Sequence, residues 1–324
     1  MLTVRNLTIS FAGGQGDLVA VDGIDFDVAE GETFVIIGES GSGKSLTGMS
    51  IVGLTPDAAR VDGSITFDGR EIVSLSDKQM RDVRGKDIGI VYQDPLGALN
   101  PVHRVGDQIA EGLRVHGMAR GREALSRAVD LLARVRIPDP ERVARSYPHE
   151  ISGGMRQRAV FAMALACGPK MLIADEPTTA LDVTIKAQVL DLMRDLQREF
   201  SLTTLLITHD MGVVAEVANR ILVMYAGAVA EIGPADLLLD RPAHPYTSVL
   251  LASAMISEAE PQSDLTIVPG GTPALGDMPD GCRFHPRCPR ATDLCRGTEP
   301  VLRDMGGAQV ACHHPLVEQV EVPA

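Results

Sequence analysis

Eight consecutive residues, Gly38-Glu39-Ser40-Gly41-Ser42-Gly43-Lys44-Ser45, constrain what this chain can fold into more than any other segment. They follow a short apolar run at 33–37 and precede a helix-like stretch at 46–54. That strand, loop and helix setting is the one in which a glycine-rich loop of this spacing wraps phosphate. Glycines permit the tight winding, so successive N–H groups and the positive end of the following helix face phosphate oxygens. Lys44 then reaches the β- and γ-phosphates of a nucleotide, and the Ser45 hydroxyl takes a magnesium position. A glycine-rich turn that binds nothing is the alternative, and the flanking strand and helix argue against it.

The rest of the chain suits such a loop. Short β-branched and apolar runs at 33–37, 88–92, 171–174 and 204–207 alternate with longer helix-like stretches, the pattern of a mostly parallel buried sheet covered by helices. The fold class is α/β. Between Asn100 and Ser146 the periodicity is helical, with Val105, Ile109 and Leu113 and then Leu125, Val129 and Leu132 about one turn apart. This reads as a helical subdomain inserted at about 94–160. After Arg241 proline and glycine accumulate, and four of the five cysteines lie there. The expected division is a nucleotide-binding domain at 1–241 and a small loop-rich extension at 242–324.

Composition removes several function classes. With 30 basic and 43 acidic residues the net charge is -13, which repels phosphate backbones, so general nucleic-acid binding is not expected. The longest apolar runs, 34–37 and 221–225, fall far short of the roughly 18 residues needed to cross a bilayer. Met1-Leu2-Thr3-Val4-Arg5 leads directly into strand-like sequence, with no secretory leader pattern, so a cytoplasmic location is expected. In that reducing setting the cysteines read as thiols or metal ligands and not as disulfides.

Leu172-Ile173-Ala174-Asp175-Glu176 is a second apolar strand, ending in two adjacent acids that extended chain directs to opposite sides. Asp175 suits a magnesium position, and Glu176 suits polarising the water that attacks the γ-phosphate. A solvated acidic turn is the plain alternative. Ser152-Gly153-Gly154 opens the helix-like stretch 156–166 and, taken alone, reads as an ordinary N-cap.

The order of the loop at 38–45, Gln93 in Tyr92-Gln93-Asp94-Pro95, Ser152-Gly153-Gly154, Asp175-Glu176, Ala180-Leu181-Asp182 and His209 in Thr208-His209-Asp210 resembles that of ABC ATPases. Residues 151–158 and 174–184, followed by His244-Pro245-Tyr246-Thr247 and the cysteine-bearing tail, resemble more narrowly the ATP-binding subunits of oligopeptide and dipeptide importers. The resemblance implies a P-loop ATPase core using ATP and Mg2+. Gln93 would sense magnesium and the attacking water, and His209 would contact the γ-phosphate. Ser152, Gly153 and Gly154 would grip the ATP held by an opposite subunit, with Asp182 coupling the two sites. The implied partners are a second ABC ATPase subunit, identical or different, two membrane permeases and an external solute-binding protein. The implied location is peripheral, on the cytoplasmic face of the cell membrane. Two positions depart from the wider pattern: Met155 stands where the superfamily commonly has glutamine, and Phe11 is the nearest upstream aromatic for stacking on adenine.

Cys282, Cys288, Cys295 and Cys312 are separated by five, six and sixteen residues, while Cys167 stands apart. Four thiolates can close around zinc or an iron-sulfur cluster. The spacing lacks the two-residue separations of zinc ribbons, which favours a [4Fe-4S] cluster over Zn2+; four unliganded thiols are the third alternative. Two rival functions stand beside peptide import. One is a soluble ABC-type ATPase acting on nucleic acid or ribosomes, which the acidic charge and the single set of motifs oppose. The other is an ATPase gated by metal or redox state at the cysteine tail.

Overall fold

Along the first strand, Leu2–Gly13, buried Leu2, Val4, Leu7 and Ile9 face one side. The alternation slips once, at Arg5-Asn6, where the pairing register shifts and Asn6 adopts a φ of 48°. A bulge of this kind bends the strand and returns the apolar side chains to the core face. The computed structural model describes residues 1–14, 16–92, 94–178, 183–256 and 270–317. The chain folds as two units, one formed by 1–28 with 33–73 and 207–324, the other by 29–32 with 74–206.

The first unit holds an antiparallel sheet in the order Gly16–Val28, Leu2–Gly13, Ala59–Phe67, Arg70–Glu71. It also holds the strand that precedes the phosphate loop, Thr33–Ile37, buried at every position. That strand runs parallel to Arg220–Tyr225, which pairs antiparallel with Ala228–Pro234. The tail then joins the same sheet: Gln309–Val310 pairs with Glu231 and Ile232, and Arg303–Asp304 pairs with Gln309–Val310. Met305, Val310 and Cys312 pack on Ala243. Phe284 is buried against Tyr225 and Tyr246, with ring centroids at 5.2 and 5.3 Å. The extension thus gains its apolar partners from the strands and turns that support the phosphate loop.

The second unit pairs Ile88–Val91 in parallel with Met171–Asp175 and adds the helices expected from the sequence. In Val105–Val115 the buried positions include Val105, Ile109 and Leu113, as the periodicity requires. In Gly121–Arg134 the buried face is Ala124, Ala128 and Leu132, while Leu125 is exposed. The expected stripe is therefore rotated by one residue on its first two turns. Small side chains line that contact surface, and close helix approach favours alanine over leucine there.

Candidate nucleotide site

The loop at 38–45 is shaped by close contacts that only glycine tolerates at two of its turns. A Cβ on Gly38 would collide with the Met224 carbonyl oxygen. Gly43 has a φ of 98°, and a side chain there would meet the Ala20 carbonyl oxygen at 2.9 Å. Helix Lys44–Ile51 begins directly after Gly43 with no side chain capping its first turn. Its leading N–H groups and positive dipole end are the features that bind phosphate. Lys44 is 5% exposed, and its ammonium donates to the carbonyls of Gly38 (2.7 Å) and Glu39 (2.8 Å). The Ser42 side chain is fully buried, and its carbonyl accepts from the Gly227 N–H at 3.1 Å.

Glu39 is fixed by three residues of the extension. Its N–H donates to the Tyr246 hydroxyl at 2.8 Å. Its carboxylate accepts two bonds from Arg287, at 2.8 and 3.0 Å, and one from the Thr272 hydroxyl at 2.9 Å. The Arg287 side chain is 9% exposed and its guanidinium lies 5.7 Å from the Tyr225 ring centroid. The Glu39 carboxylate strengthens the guanidinium's hold on its proton, raising its pKa. Tyr246 is fully buried, and burial pushes its phenol up as well. The Nδ1 atom of His244 accepts from the Tyr246 N–H at 3.0 Å. Burial holds the His244 pKa down at about 4, so its ring is neutral at pH 7. Glu231, also fully buried, accepts the N–H groups of Ala243 (2.8 Å) and His244 (3.0 Å) at the start of helix Pro245–Ile256. Burial raises its pKa.

In the sequence Glu39 reads only as a member of the loop, without a partner. His244-Pro245-Tyr246-Thr247 is a visible motif, yet nothing in the spacing joins residue 39 to residue 246 or 287.

In the second unit Asp175 ends its strand, and Glu176 follows with a φ of 47°. A non-glycine residue in this left-handed region costs on the order of 1 kcal/mol, a strain concentrated at functional turns. The neighbouring turn is tied down by buried Gln157, whose amide donates to the Pro177 carbonyl at 2.7 Å; no local pattern marks residue 157 for this support. Ser152 caps helix Gly153–Ala164 by accepting from the Met155 N–H at 3.3 Å. Gly153 borders open space, and a Cβ on Gly154 would meet the Ile185 side chain at 3.5 Å. The helix start is therefore bare of side chains on one side.

His209 is exposed immediately after strand Thr203–Thr208, and Asp210 caps the next helix, Met211–Val217, through Gly212 and Val213. Phe11 is half-buried, paired in its sheet with Leu18 and Ala59. Gln93 and Asp182 lie outside the described residues.

The chain is similar to known proteins over most of its length. The ABC transporter pattern matches residues 21–179, and the pattern of the oligopeptide/dipeptide transporter C-terminal region matches 230–295. A probable peptide ABC transporter ATP-binding protein of Sinorhizobium fredii is 49% identical over 96% of this chain and 94% of its own. The chain belongs to the oligopeptide/dipeptide family of ABC transporter ATP-binding proteins. The dipeptide transport ATP-binding protein of Haemophilus influenzae is 46% identical to this ABC ATPase, over 98% of the chain and 97% of its own. Among solved structures, the ATP-binding cassette MJ0796, as a dimer in a post-hydrolysis state with ADP and Pi, superposes with a TM-score of 0.65 at 28% identity. That match covers 72% of this ABC ATPase and 99% of the cassette.

The four tail cysteines of this ABC ATPase line one small pocket of about 10 Å³ with His244, Phe284 and His314. None of the described cysteines is in a disulfide. Burial raises the thiol pKa of Cys282 and Cys288 and pushes that of Cys312 up to about 11. The expectation of a metal centre is corrected to this extent: among the described residues no three His, Cys, Asp or Glu side chains stand in metal-holding geometry. No described helix is long and apolar enough to cross a membrane.

Proposed function

We propose that this chain is one of two ATPase subunits that energise import of peptides, such as dipeptides or oligopeptides, through a pair of membrane permeases fed by an external solute-binding protein. The observation that carries the reading is the C-terminal match at 230–295, in which Tyr246 touches the phosphate loop. The relatives named for peptide and dipeptide transport align over nearly the whole chain. The ATPase domain is 1–241 and the extension 242–324, with the chain peripheral on the cytoplasmic face of the membrane.

Residues 38–45 cradle the triphosphate of ATP, with the Lys44 ammonium turning from the Gly38 and Glu39 carbonyls to phosphate oxygens. Ser45, Asp175 and Gln93 would hold Mg2+, which would supply positive charge against the charge that develops on the γ-phosphate. Glu176 orients and polarises the attacking water, and His209 steadies the γ-phosphate. Ser152, Gly153 and Gly154 close the partner's site with helix N–H groups, and Asp182 links the two sites. Co-expression with its permeases and second ATPase, followed by reconstitution in vesicles, tests the proposal. Peptide uptake that requires ATP and is abolished by Lys44→Ala is expected; a purified complex carrying nucleic acid and no permease refutes transport.

The four thiols that line one pocket are the donor set that an iron-sulfur cluster or, as second choice, zinc accepts, and loading would require them to draw in from the arrangement described above. A closed all-thiolate shell offers no position for substrate, so the group would be structural or redox-sensing. Iron, sulfide and a brown chromophore after anaerobic purification support the cluster, and four reactive thiols in an active, metal-free protein reject it.

A further inference from the structure

We infer that Arg287 and Tyr246, on the C-terminal extension, are positioning residues for the phosphate loop, holding Glu39 so that the loop can accept ATP. The inference rests on residues 38–45 being the ATP site. Glu39 places a carboxylate one residue into a loop built to receive a polyanion, where an uncompensated negative charge repels the ligand at short range. Arg287 removes that repulsion with a bidentate pair, largely out of water, where such pairs are strongest and most directional. The backbone of the same residue is fixed by Tyr246, whose hydroxyl takes the Glu39 N–H.

Both residues are themselves well anchored. Tyr246 packs on Tyr225 at 4.6 Å, and Glu231 holds the turn that carries it. The far side of the loop is braced from the same segment. Arg283 donates to the Ala226 carbonyl at 2.6 Å and pairs with Asp22, and the adjoining Gly227 N–H supports Ser42. Arg287 thus reaches the loop itself, and Arg283 reaches the turn at 226–227 that supports it.

Direct calorimetric titration of the full-length chain with ATP, beside its melting temperature without nucleotide, tests this. Arg287→Ala is expected to raise the ATP Kd about tenfold, because the exposed Glu39 charge then opposes the phosphates. Adding Glu39→Gln to Arg287→Ala is expected to recover at least half of that loss on a logarithmic scale, a rescue that a merely structural arginine would not show. Tyr246→Phe keeps the ring packing and is expected to raise Kd about threefold, the effect of one lost neutral hydrogen bond. Wild-type affinity in Arg287→Ala alongside lost binding in Lys44→Ala overturns the inference while leaving the ATP site in place. Loss of affinity that Glu39→Gln does not rescue, or that follows the melting temperature in every variant, overturns it too. Undiminished binding by Lys44→Ala removes the ATP-site reading and the inference with it. Should Arg287→Ala not fold, Arg287→Gln and Tyr246→Phe carry the test, and wild-type affinity in both overturns it.

Discussion

Glu176 shows what a single residue has to do here. It follows the carboxyl end of a buried strand in a left-handed backbone conformation, where the extended alternation of the strand stops. Glu176→Gln keeps the shape and hydrogen-bonding reach but removes the basic oxygen. ATP binding is expected to stay within a few-fold of wild type while turnover in the assembled transporter falls by roughly two to four orders of magnitude. Steady-state turnover and direct ATP titration on one preparation check this, and near-normal turnover would remove Glu176 from the role proposed for it. The two acids, the lysine and the loop stand out in the sequence as candidates because each is part of a local pattern. Arg287, Thr272 and Gln157 were not, because their partners lie 248, 233 and 20 positions away and no periodicity connects them.

At the scale of elements, strands and helices were legible wherever a period of two or 3.6 ran long enough, and errors fell where small residues carry the packing. Helix Gly121–Arg134 is the example: leucine marked the stripe in the sequence, but alanine at 124 and 128 makes the contact. The turn into helix Pro245–Ile256 carries a pH-dependent load of its own. At pH 7 His244 is neutral both folded and unfolded; as pH falls below 6.5 the unfolded chain takes up a proton that the folded chain refuses until about pH 4. Stability is therefore lost across that window, by about 3 kcal/mol from this residue alone. Glu231, with its raised pKa, acts in the opposite sense, contributing stability below the ordinary glutamate value that disappears as pH rises. Melting temperatures of wild type and His244→Asn between pH 7 and pH 4.5 separate the two. The variant should start lower and fall less steeply, and parallel curves would show that His244 does not control the acid limb.

At the scale of the molecule, the proposed function has this ATPase complete its sites only in pairs. Ser152→Arg puts a bulky cation at a helix start that is otherwise bare of side chains. In a mixed complex where only this chain carries the change, hydrolysis is expected to fail at the partner's nucleotide; trapping labelled nucleotide separately in each subunit reads this directly, and loss confined to this chain's own loop would contradict shared sites. The tail, whose composition suggested a module apart, is woven into the nucleotide-binding sheet through Gln309–Val310. Deleting residues from 300 onward would bare the main-chain donors and acceptors of Glu231 and Ile232 along an apolar rim. Such a shortened chain should form oligomers that grow with concentration, since the rim it uncovers is a template for any other extended strand.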